Sequence, residues 1–299
     1  MKNKYIFLGE IESINTELIV NSFKFLKNKV RYIIIGDLDL FKRDSKYFKN
    51  TPRIKDIANP YDFKNLNSNE INFFHLAPKK TKIDNMIAQI ELCNYLSNET
   101  GNDLITLPIN KSLFKKKLKF NGMTEYLGEL NNAKTTMLMT GENFSIIPIT
   151  THINLKNIGK GFVYKIENFF KVLNQINITK NYFYNYEDFM FLCFNPHCSE
   201  NRTLGDEDLI IKRYLKNFKS YKFKLVPADS AFIKIKKKTL FISYYHDQAL
   251  IPFKILNKKS FNQTLGLNYR RLSPSHGTAL DIRFKNLADN TSYIQCMID

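Results

Sequence analysis

Cysteines and long apolar runs are both scarce in this sequence of 299 residues. The four cysteines are Cys93, Cys193, Cys198 and Cys296, and no two of them have the CxxC spacing of a zinc ribbon. Neither their number nor their placement suggests a disulfide framework, which predicts a reducing compartment. The apolar run Tyr5–Leu8 is shorter than the core of a secretory signal, and no stretch reaches the roughly 18 apolar residues of a membrane helix. We therefore expect a soluble cytoplasmic protein with no membrane partner.

Acidic side chains are outnumbered in this sequence. It has 28 Asp and Glu against 45 Lys and Arg, a formal net charge of +17. Such an excess suits nucleic acid, an acidic membrane surface or an anionic substrate. The sequence is also rich in the residues that AT-rich codons specify, and this bias accounts for most of the charge. Basic and aromatic residues alternate in Lys216–Lys224, which keeps a basic nucleic-acid-binding protein as a competing hypothesis. The preferred interpretation has no nucleic acid partner.

Short apolar runs alternate with amphipathic segments along the first part of the chain. Arg31–Ile35 is typical of a strand, and Lys82–Thr100 predicts a helix that ends at Gly101. Such alternation predicts βαβ units and a mainly parallel sheet. The polar segment Lys42–Asn69 is interpreted as a surface excursion. Further along, the apolar runs on either side of Thr140–Asn143 predict a β-hairpin. The simplest architecture is two α/β domains with a cleft.

Four of the five histidines follow predicted strands, while His75 lies within an apolar run and is expected in the core or at a strand end. In open α/β sheets, ligands bind outside the carboxyl ends of the strands. Three histidines at that edge, His152, His197 and His246, have the chemistry to bind a divalent metal through imidazole nitrogen. Their wide separation in the sequence fits no local metal motif. Spacing alone therefore favours three unrelated capping or hydrogen-bonding histidines.

Seven short phrases, in a fixed order, carry a resemblance to a known family. They are Leu107–Lys111 (LPINK), Gly122–Glu125 (GMTE), Asn195–Glu200 (NPHCSE), Pro227–Ser230 (PADS), Tyr245–Lys254 (YHDQALIPFK), Asn262–Leu267 (NQTLGL) and His276–Ala279 (HGTA). The series resembles 4-hydroxythreonine-4-phosphate dehydrogenase, the PdxA family of vitamin B6 biosynthesis.

The resemblance implies a fold and a reaction. The fold is α/β, with two α/β/α domains flanking a cleft, like isocitrate and isopropylmalate dehydrogenases, in a homodimer with active sites at the subunit interface. We place the first domain at residues 1–125 plus 275–299, and the second at residues 126–274 with the dimer interface. The reaction is oxidation of 4-phosphooxy-L-threonine with NAD or NADP and a divalent metal (Zn, Mg or Co), followed by decarboxylation to 3-amino-2-oxopropyl phosphate. The family lacks a Rossmann fingerprint, so the absence of GxGxxG here does not count against NAD.

The resemblance also implies roles for individual residues. The metal ligands implied are His152, His197 and His246, which match the family's ligand positions. A cation there would lower the pKa of the substrate alcohol and polarise the new ketone, which assists both oxidation and decarboxylation. Asp247 either orients His246 or takes part in proton transfer. Lys111 lies near the active site.

The resemblance also implies which residues bind the substrate and the cofactor. A phosphorylated amino acid needs cationic donors, and Thr124, Lys254, Asn262 and Arg271 match substrate-contacting positions of the family. Ordinary surface charge is the alternative for the lysine and the arginine. The cofactor residues implied are Gly266, Leu267, His276, Gly277, Thr278 and Ala279.

Three departures from the family pattern affect these expectations. The family's first loop is rich in glycine, whereas Gly9–Glu17 keeps only the first glycine, an acid beside it and the last glutamate. Met123 replaces a histidine beside Thr124, and Ser275 replaces an aspartate before His276. These changes leave three alternatives open: another phosphorylated hydroxy acid such as a threonate phosphate, a catalytically silent relative, or a basic binding protein on the same scaffold.

Overall fold

The computed structural model describes residues 3–115, 122–180, 183 and 185–299. The strands are β1 Asn3–Phe7, β2 Arg31–Gly36, β3 Ile54–Asp56, β4 Ile71–His75, β5 Asp103–Thr106, β6 Thr136–Gly141, β7 Phe144–Pro148, β8 Asp188–Leu192, β9 Phe223–Val226, β10 Thr239–Ser243, β11 Ser260–Leu265 and β12 Arg271–Pro274. The helices are α1 Asn15–Leu26, α2 Leu38–Ser45, α3 Lys82–Thr100, α4 Lys111–Lys115, α5 Met123–Leu130, α6 Phe162–Lys180, α7 Glu207–Asn217, α8 His246–Leu256 and α9 Thr291–Ile298. None of the helices in these ranges combines the length and apolar character that crossing a membrane requires.

The chain divides into two compact units. In the described residues, the first unit extends to Asn131 and also contains Phe261–Gln263 and Leu267–Asp299. The second unit contains Asn132–Ser260 and Thr264–Gly266, so strand β11 has residues in both units. The first unit thus resumes at 261, whereas the expected return is at 275.

The first unit is a parallel α/β layer structure. Its strands lie in the order β3-β4-β2-β1-β5-β12, and each of these neighbouring pairs is parallel. Ile6 and Ile34 face a core that includes residues of α1, α2 and α9, whereas α3 contacts β1, β2 and β5. Helix α3 is capped at its amino end by Thr81, whose side chain accepts a hydrogen bond from the Asp84 N–H, and at its carboxyl end by Gly101 with φ of 70°.

The second unit has helices on both faces of its strands as well. Strands β6 and β7 pair antiparallel, and the order continues through β10, β8 and β9 with parallel pairs. Ile242 and Leu240 pack with side chains of α6 and α7, while Phe241 packs with Ala249 and Phe253 of α8. The alternation of buried side chains along β10 explains this arrangement, since successive residues of a strand point to opposite faces. The predicted α/β class is confirmed, and so is the hairpin, in which Met139 pairs with Ile146.

Two expectations were wrong. Lys42–Asn69 is not wholly a surface excursion, because it contains the end of α2 and strand β3, which pairs with β4 at the edge of the sheet. The expectation that the cysteines form no disulfide was also wrong. Cys193 and Cys198 are joined by a disulfide, with their Cα atoms 5.1 Å apart. Cys93 and Cys296 are free and buried. The disulfide weakens the argument from cysteine usage for a reducing compartment.

Candidate active site

Three histidine-bearing turns follow three adjacent strands of the second unit. Strand β10 lies between β7 and β8 and is parallel to both, so the three carboxyl ends share one edge of the sheet. His152 follows β7, His197 follows β8, and His246 begins helix α8 directly after β10. The fold therefore brings to one edge the side chains that the sequence suggests as metal ligands.

Two of these imidazoles are neighbours. The ring centroids of His152 and His246 are 6.0 Å apart, and the ring planes make an angle of 36°. Nδ1 of His246 lies 2.7 Å from Oδ1 of Asp247. A histidine that donates its Nδ1–H to a carboxylate keeps Nε2 as the lone-pair nitrogen, which is how proteins orient imidazole ligands. Asp247 therefore has the position of an orienting carboxylate.

His197 lies in a backbone turn of unusual handedness. The segment His197–Arg202, called here the left-handed turn, has φ values from 42° to 78° without a glycine. Nδ1 of His197 lies 2.9 Å from Oε1 of Glu200, and Nε2 lies 3.7 Å from Oδ2 of Asp229. The hydrogen bond with Glu200, and then the charge of Asp229, raise the pKa of His197. Both carboxylates make this imidazole a better acceptor for a cation.

Hydrogen bonds connect the three turns. The N–H and the hydroxyl of Thr150 both donate to the carbonyl of Tyr244, at 3.0 and 2.7 Å, which ties the His152 turn to the His246 turn. Gln248 accepts from the N–H of Tyr244 at 3.1 Å and donates to the carbonyl of Cys193 at 2.8 Å. Thr150 and Gln248 have no predicted role from the sequence. The one signal in the sequence is the position of Gln248 inside the Tyr245–Lys254 phrase.

A complete three-ligand centre is not formed within one chain over the ranges that the structure describes. No group of three or more His, Cys, Asp or Glu side chains there is arranged to hold a metal ion. The metal assignment of His152, His197 and His246 stays a prediction. The pair of His152 and His246 is the part that the geometry of one chain brings together.

The residues expected to contact substrate are divided between the units. In the second unit, Lys254 is exposed on the last turn of α8. In the first unit, Lys111 is exposed at the start of α4 and Thr124 is half-buried in the first turn of α5. Asn262 has a buried Oδ1 with no hydrogen-bond partner in the described part of the chain. An acceptor in this state is suited to a ligand that donates a hydrogen bond.

Arg271 is buried rather than a surface charge. Its Nε donates to the hydroxyl of Thr106 at 2.9 Å, and the side chain lies within strand β12 at 6% exposure. Burial lowers the pKa of the guanidinium to about 10. The alternative of ordinary surface charge is therefore wrong for Arg271.

The loop expected to hold the cofactor lies directly after β12. His276 Nδ1 is 3.1 Å from the carbonyl of Gly277, its Nε2 is buried without a partner in the described residues, and burial lowers its pKa. A Cβ built on Gly277 would meet no atom within 4 Å, so the backbone there faces open space. Thr278 accepts at its carbonyl from the N–H of Ile14, and Ala279 packs against the first-unit core.

The other two cofactor positions have structural explanations of their own. Gly266 has φ of 103°, and a Cβ there would lie 2.2 Å from the carbonyl oxygen of Lys134. The glycine is thus required by packing inside the second unit. Leu267 is 1% exposed and is the residue at which the chain returns to the first unit.

The first loop keeps its one glycine for a steric reason. Gly9 has φ of 72°, and a Cβ would lie 2.7 Å from the carbonyl oxygen of Pro108. Asn15 donates from its amide to the carbonyls of Leu8 and Pro108, each at 2.9 Å, and so holds the loop without further glycines. Met123, which replaces the family histidine, is 8% exposed at the start of α5.

Comparison with known proteins agrees with these features. The family model described as pyridoxal phosphate biosynthetic protein PdxA matches residues 28–298. The 4-hydroxythreonine-4-phosphate dehydrogenase of Hydrogenobaculum sp. (strain Y04AAS1) is 32% identical over 98% of this chain and 97% of its own, and that of Aquifex aeolicus (strain VF5) is 31% identical over 98% and 95%. The crystal structure of the Klebsiella pneumoniae enzyme of the same name has a TM-score of 0.80 and 25% identity, covering 99% of this chain and 98% of that one. The chain therefore belongs to the PdxA family of pyridoxal phosphate biosynthetic proteins.

Proposed function

We propose that this chain oxidises the C3 hydroxyl of 4-phosphooxy-L-threonine, transferring a hydride to NAD or NADP and releasing a proton. The product, 2-amino-3-oxo-4-phosphooxybutanoate, then loses carbon dioxide to give 3-amino-2-oxopropyl phosphate. The observation that carries the proposal is the placement of His152, His197 and His246 after three adjacent parallel strands in a chain of the PdxA family. This placement is where open α/β sheets bind their ligands.

A divalent metal fits the chemistry of this donor set. His246 and His197 each have Nδ1 beside a carboxylate oxygen, at 2.7 and 2.9 Å, which makes Nε2 the ligand nitrogen of each ring, and Oδ2 of Asp229 lies 3.7 Å from Nε2 of His197. His152 would supply the third imidazole, and Zn, Mg or Co stay the candidate ions. When bound, such an ion supplies a Lewis acid for the substrate hydroxyl and for the ketone that replaces it. Asp247 would hold the His246 ring in place, and proton transfer is the alternative role for its carboxylate.

A nicotinamide cofactor fits the loop after β12. The orphaned Nε2 of His276 and the open space above Gly277 suit a planar heterocycle with hydrogen-bonding edges. Because burial lowers the pKa of His276, its ring stays neutral at pH 7, with Nδ1–H donating to the Gly277 carbonyl and Nε2 left as an acceptor. Thr278 and Ala279 would complete the backbone side of this loop.

The substrate's phosphate and carboxylate call for fixed donors. We assign Lys254, Thr124, Asn262 and Arg271 to this task, with Lys111 nearby. Arg271 is already ordered by Thr106, so it would lose little conformational freedom on binding an anion. The buried Oδ1 of Asn262 suits the substrate ammonium, which donates hydrogen bonds.

We also propose a homodimer, with active sites at its subunit interface. Ile251 and Ile255 are one turn apart on α8 and are 59% and 72% exposed, which gives the helix that begins at His246 an apolar outer face. A cytoplasmic location stays a prediction.

The test is an assay of NADH formation from 4-phosphooxy-L-threonine with each divalent metal. We expect turnover that is lost in His246→Ala. No NADH with any metal would reject the proposed function, while NADH from a threonate phosphate alone would assign the alternative substrate.

A matched pair of variants tests the substrate lysine. Lys254→Met should raise KM for the phosphorylated substrate, whereas Lys258→Met, an exposed lysine four residues later, should leave KM unchanged. Equal effects would mean that only the net charge of the surface matters.

A further inference from the structure

The left-handed turn needs support from its surroundings. Left-handed φ/ψ values cost roughly 1–2 kcal/mol for each non-glycine residue, and His197–Arg202 has several in succession. Such conformations persist only where neighbouring groups fix them. The hydrogen bonds that fix this turn therefore decide where the His197 imidazole lies.

One buried carboxylate accepts three hydrogen bonds at and just before this turn, which the Cys193–Cys198 disulfide also spans. Asp208, in the first turn of α7, is 3% exposed. Its Oδ1 accepts from the N–H of Phe194 at 2.6 Å, and its Oδ2 accepts from the N–H of Asn195 at 3.1 Å and the hydroxyl of Ser199 at 2.7 Å. These donors lie on both sides of His197 in the sequence, so one side chain holds both ends of the segment that contains it.

The carboxylate is well suited to this task. It accepts three hydrogen bonds without donating any, and the amino end of α7 favours its negative charge. An asparagine in the same place would turn an NH₂ group toward at least one donor and leave that donor buried and unpaired.

We propose that Asp208 is a positioning residue that fixes the left-handed turn and with it the His197 imidazole. Asp208 itself contacts neither substrate nor metal. The inference rests on the proposed function, because its consequence is the affinity of the site for a divalent cation. Nothing in the sequence pointed to Asp208, which lies outside all seven family phrases.

The test compares Asp208→Asn with Glu207→Gln. Both variants remove one negative charge from the same helical turn, and Glu207 accepts from the side-chain amide of Asn195 at 2.9 Å, which a glutamine oxygen can also do. Purified full-length proteins are titrated with Co²⁺, and dissociation constant, visible absorption spectrum, thermal midpoint, kcat and KM are measured. For Asp208→Asn we expect cobalt affinity to fall by about 10- to 100-fold, the range seen when outer partners of metal ligands are removed. We also expect an altered cobalt spectrum and a kcat that excess metal restores. Glu207→Gln should resemble wild type in every one of these measurements.

Three outcomes of these titrations would overturn the proposal. Wild-type cobalt affinity in folded Asp208→Asn would do so, and so would equal losses in the two variants, which would indicate an effect of charge alone. If Asp208→Asn does not fold, Ser199→Ala removes one of the three donors and should show a smaller loss of the same kind. An unchanged affinity in Ser199→Ala would then reject the positioning role. If the wild type binds no divalent metal, the proposed function is wrong and the role of Asp208 falls with it, an outcome that the wild-type titration alone identifies.

Discussion

The imidazole rings of His152 and His246 lie 6.0 Å apart, centroid to centroid, although the two residues follow different strands. The hydrogen bonds from Thr150 to the Tyr244 carbonyl hold the two turns at this spacing. Rings this close together would both reach one divalent cation bound at this edge of the sheet.

Sharing one ion predicts strong coupling between the two histidines. His152→Ala and His246→Ala should each weaken Zn²⁺ or Co²⁺ binding, and the double variant should lose much less than the sum of the two losses in binding free energy. Isothermal titration of the four proteins measures this. His75→Gln is the control, because His75 accepts from the Leu38 N–H in the first unit and glutamine can do the same. Additive losses would mean that the two rings do not share an ion.

The disulfide predicts a difference in stability between oxidised and reduced protein. Cys193 and Cys198 are five positions apart, and closing so short a loop restricts the unfolded chain by about 2 kcal/mol. Urea unfolding followed by tyrosine fluorescence should therefore show a lower midpoint in dithiothreitol than without it. Cys198→Ser should unfold like the reduced wild type and should not respond to the reductant. A wild-type midpoint that is the same in both conditions would contradict the prediction.

The parts of the molecule that follow from local sequence could be predicted, and those that depend on distant partners could not. The strand ends carrying His152, His197 and His246 were visible because apolar runs stop at polar turns, and parallel strands bring such ends to one edge. Asp208 was not visible, because its importance comes from three donors in another segment. The bond between Cys193 and Cys198 has no sequence motif, since it depends on a Cα separation of 5.1 Å that the turn creates.

Arg271 and strand β3 also show how distant partners decide what the sequence alone does not reveal. Ordinary surface charge was the alternative for Arg271, but the position of β12 beside β5 buries its side chain against Thr106, so only the expected substrate role is left. Strand β3 was missed within a polar segment, because three residues at the edge of a sheet need no apolar pattern.

Burial of His276 predicts an acid-sensitive contribution to stability. Its pKa is lowered in the folded chain, whereas in the unfolded chain it is about 6.5. Below about pH 6.5 the unfolded chain therefore binds a proton that the folded chain does not, and stability falls as the pH falls through this range. The urea midpoint of the wild type should fall more steeply on acidification than that of His276→Gln, which has no titrating ring. Parallel pH profiles would show that the imidazole titrates alike in both states.

Gly9 and Gly101 provide a matched test of steric crowding in the first unit. Their φ values are nearly equal, 72° and 70°, so alanine meets the same left-handed strain at both, about 1–2 kcal/mol. A Cβ at Gly101 would touch nothing within 4 Å, whereas at Gly9 it would lie 2.7 Å from the Pro108 carbonyl oxygen and 2.9 Å from that of Leu107. Gly9→Ala should therefore lower the free energy of unfolding well beyond the loss in Gly101→Ala, as measured by urea titration. Equal losses would mean that the loop after β1 moves away from Pro108 at no energetic cost, and that steric exclusion does not explain why this glycine is kept.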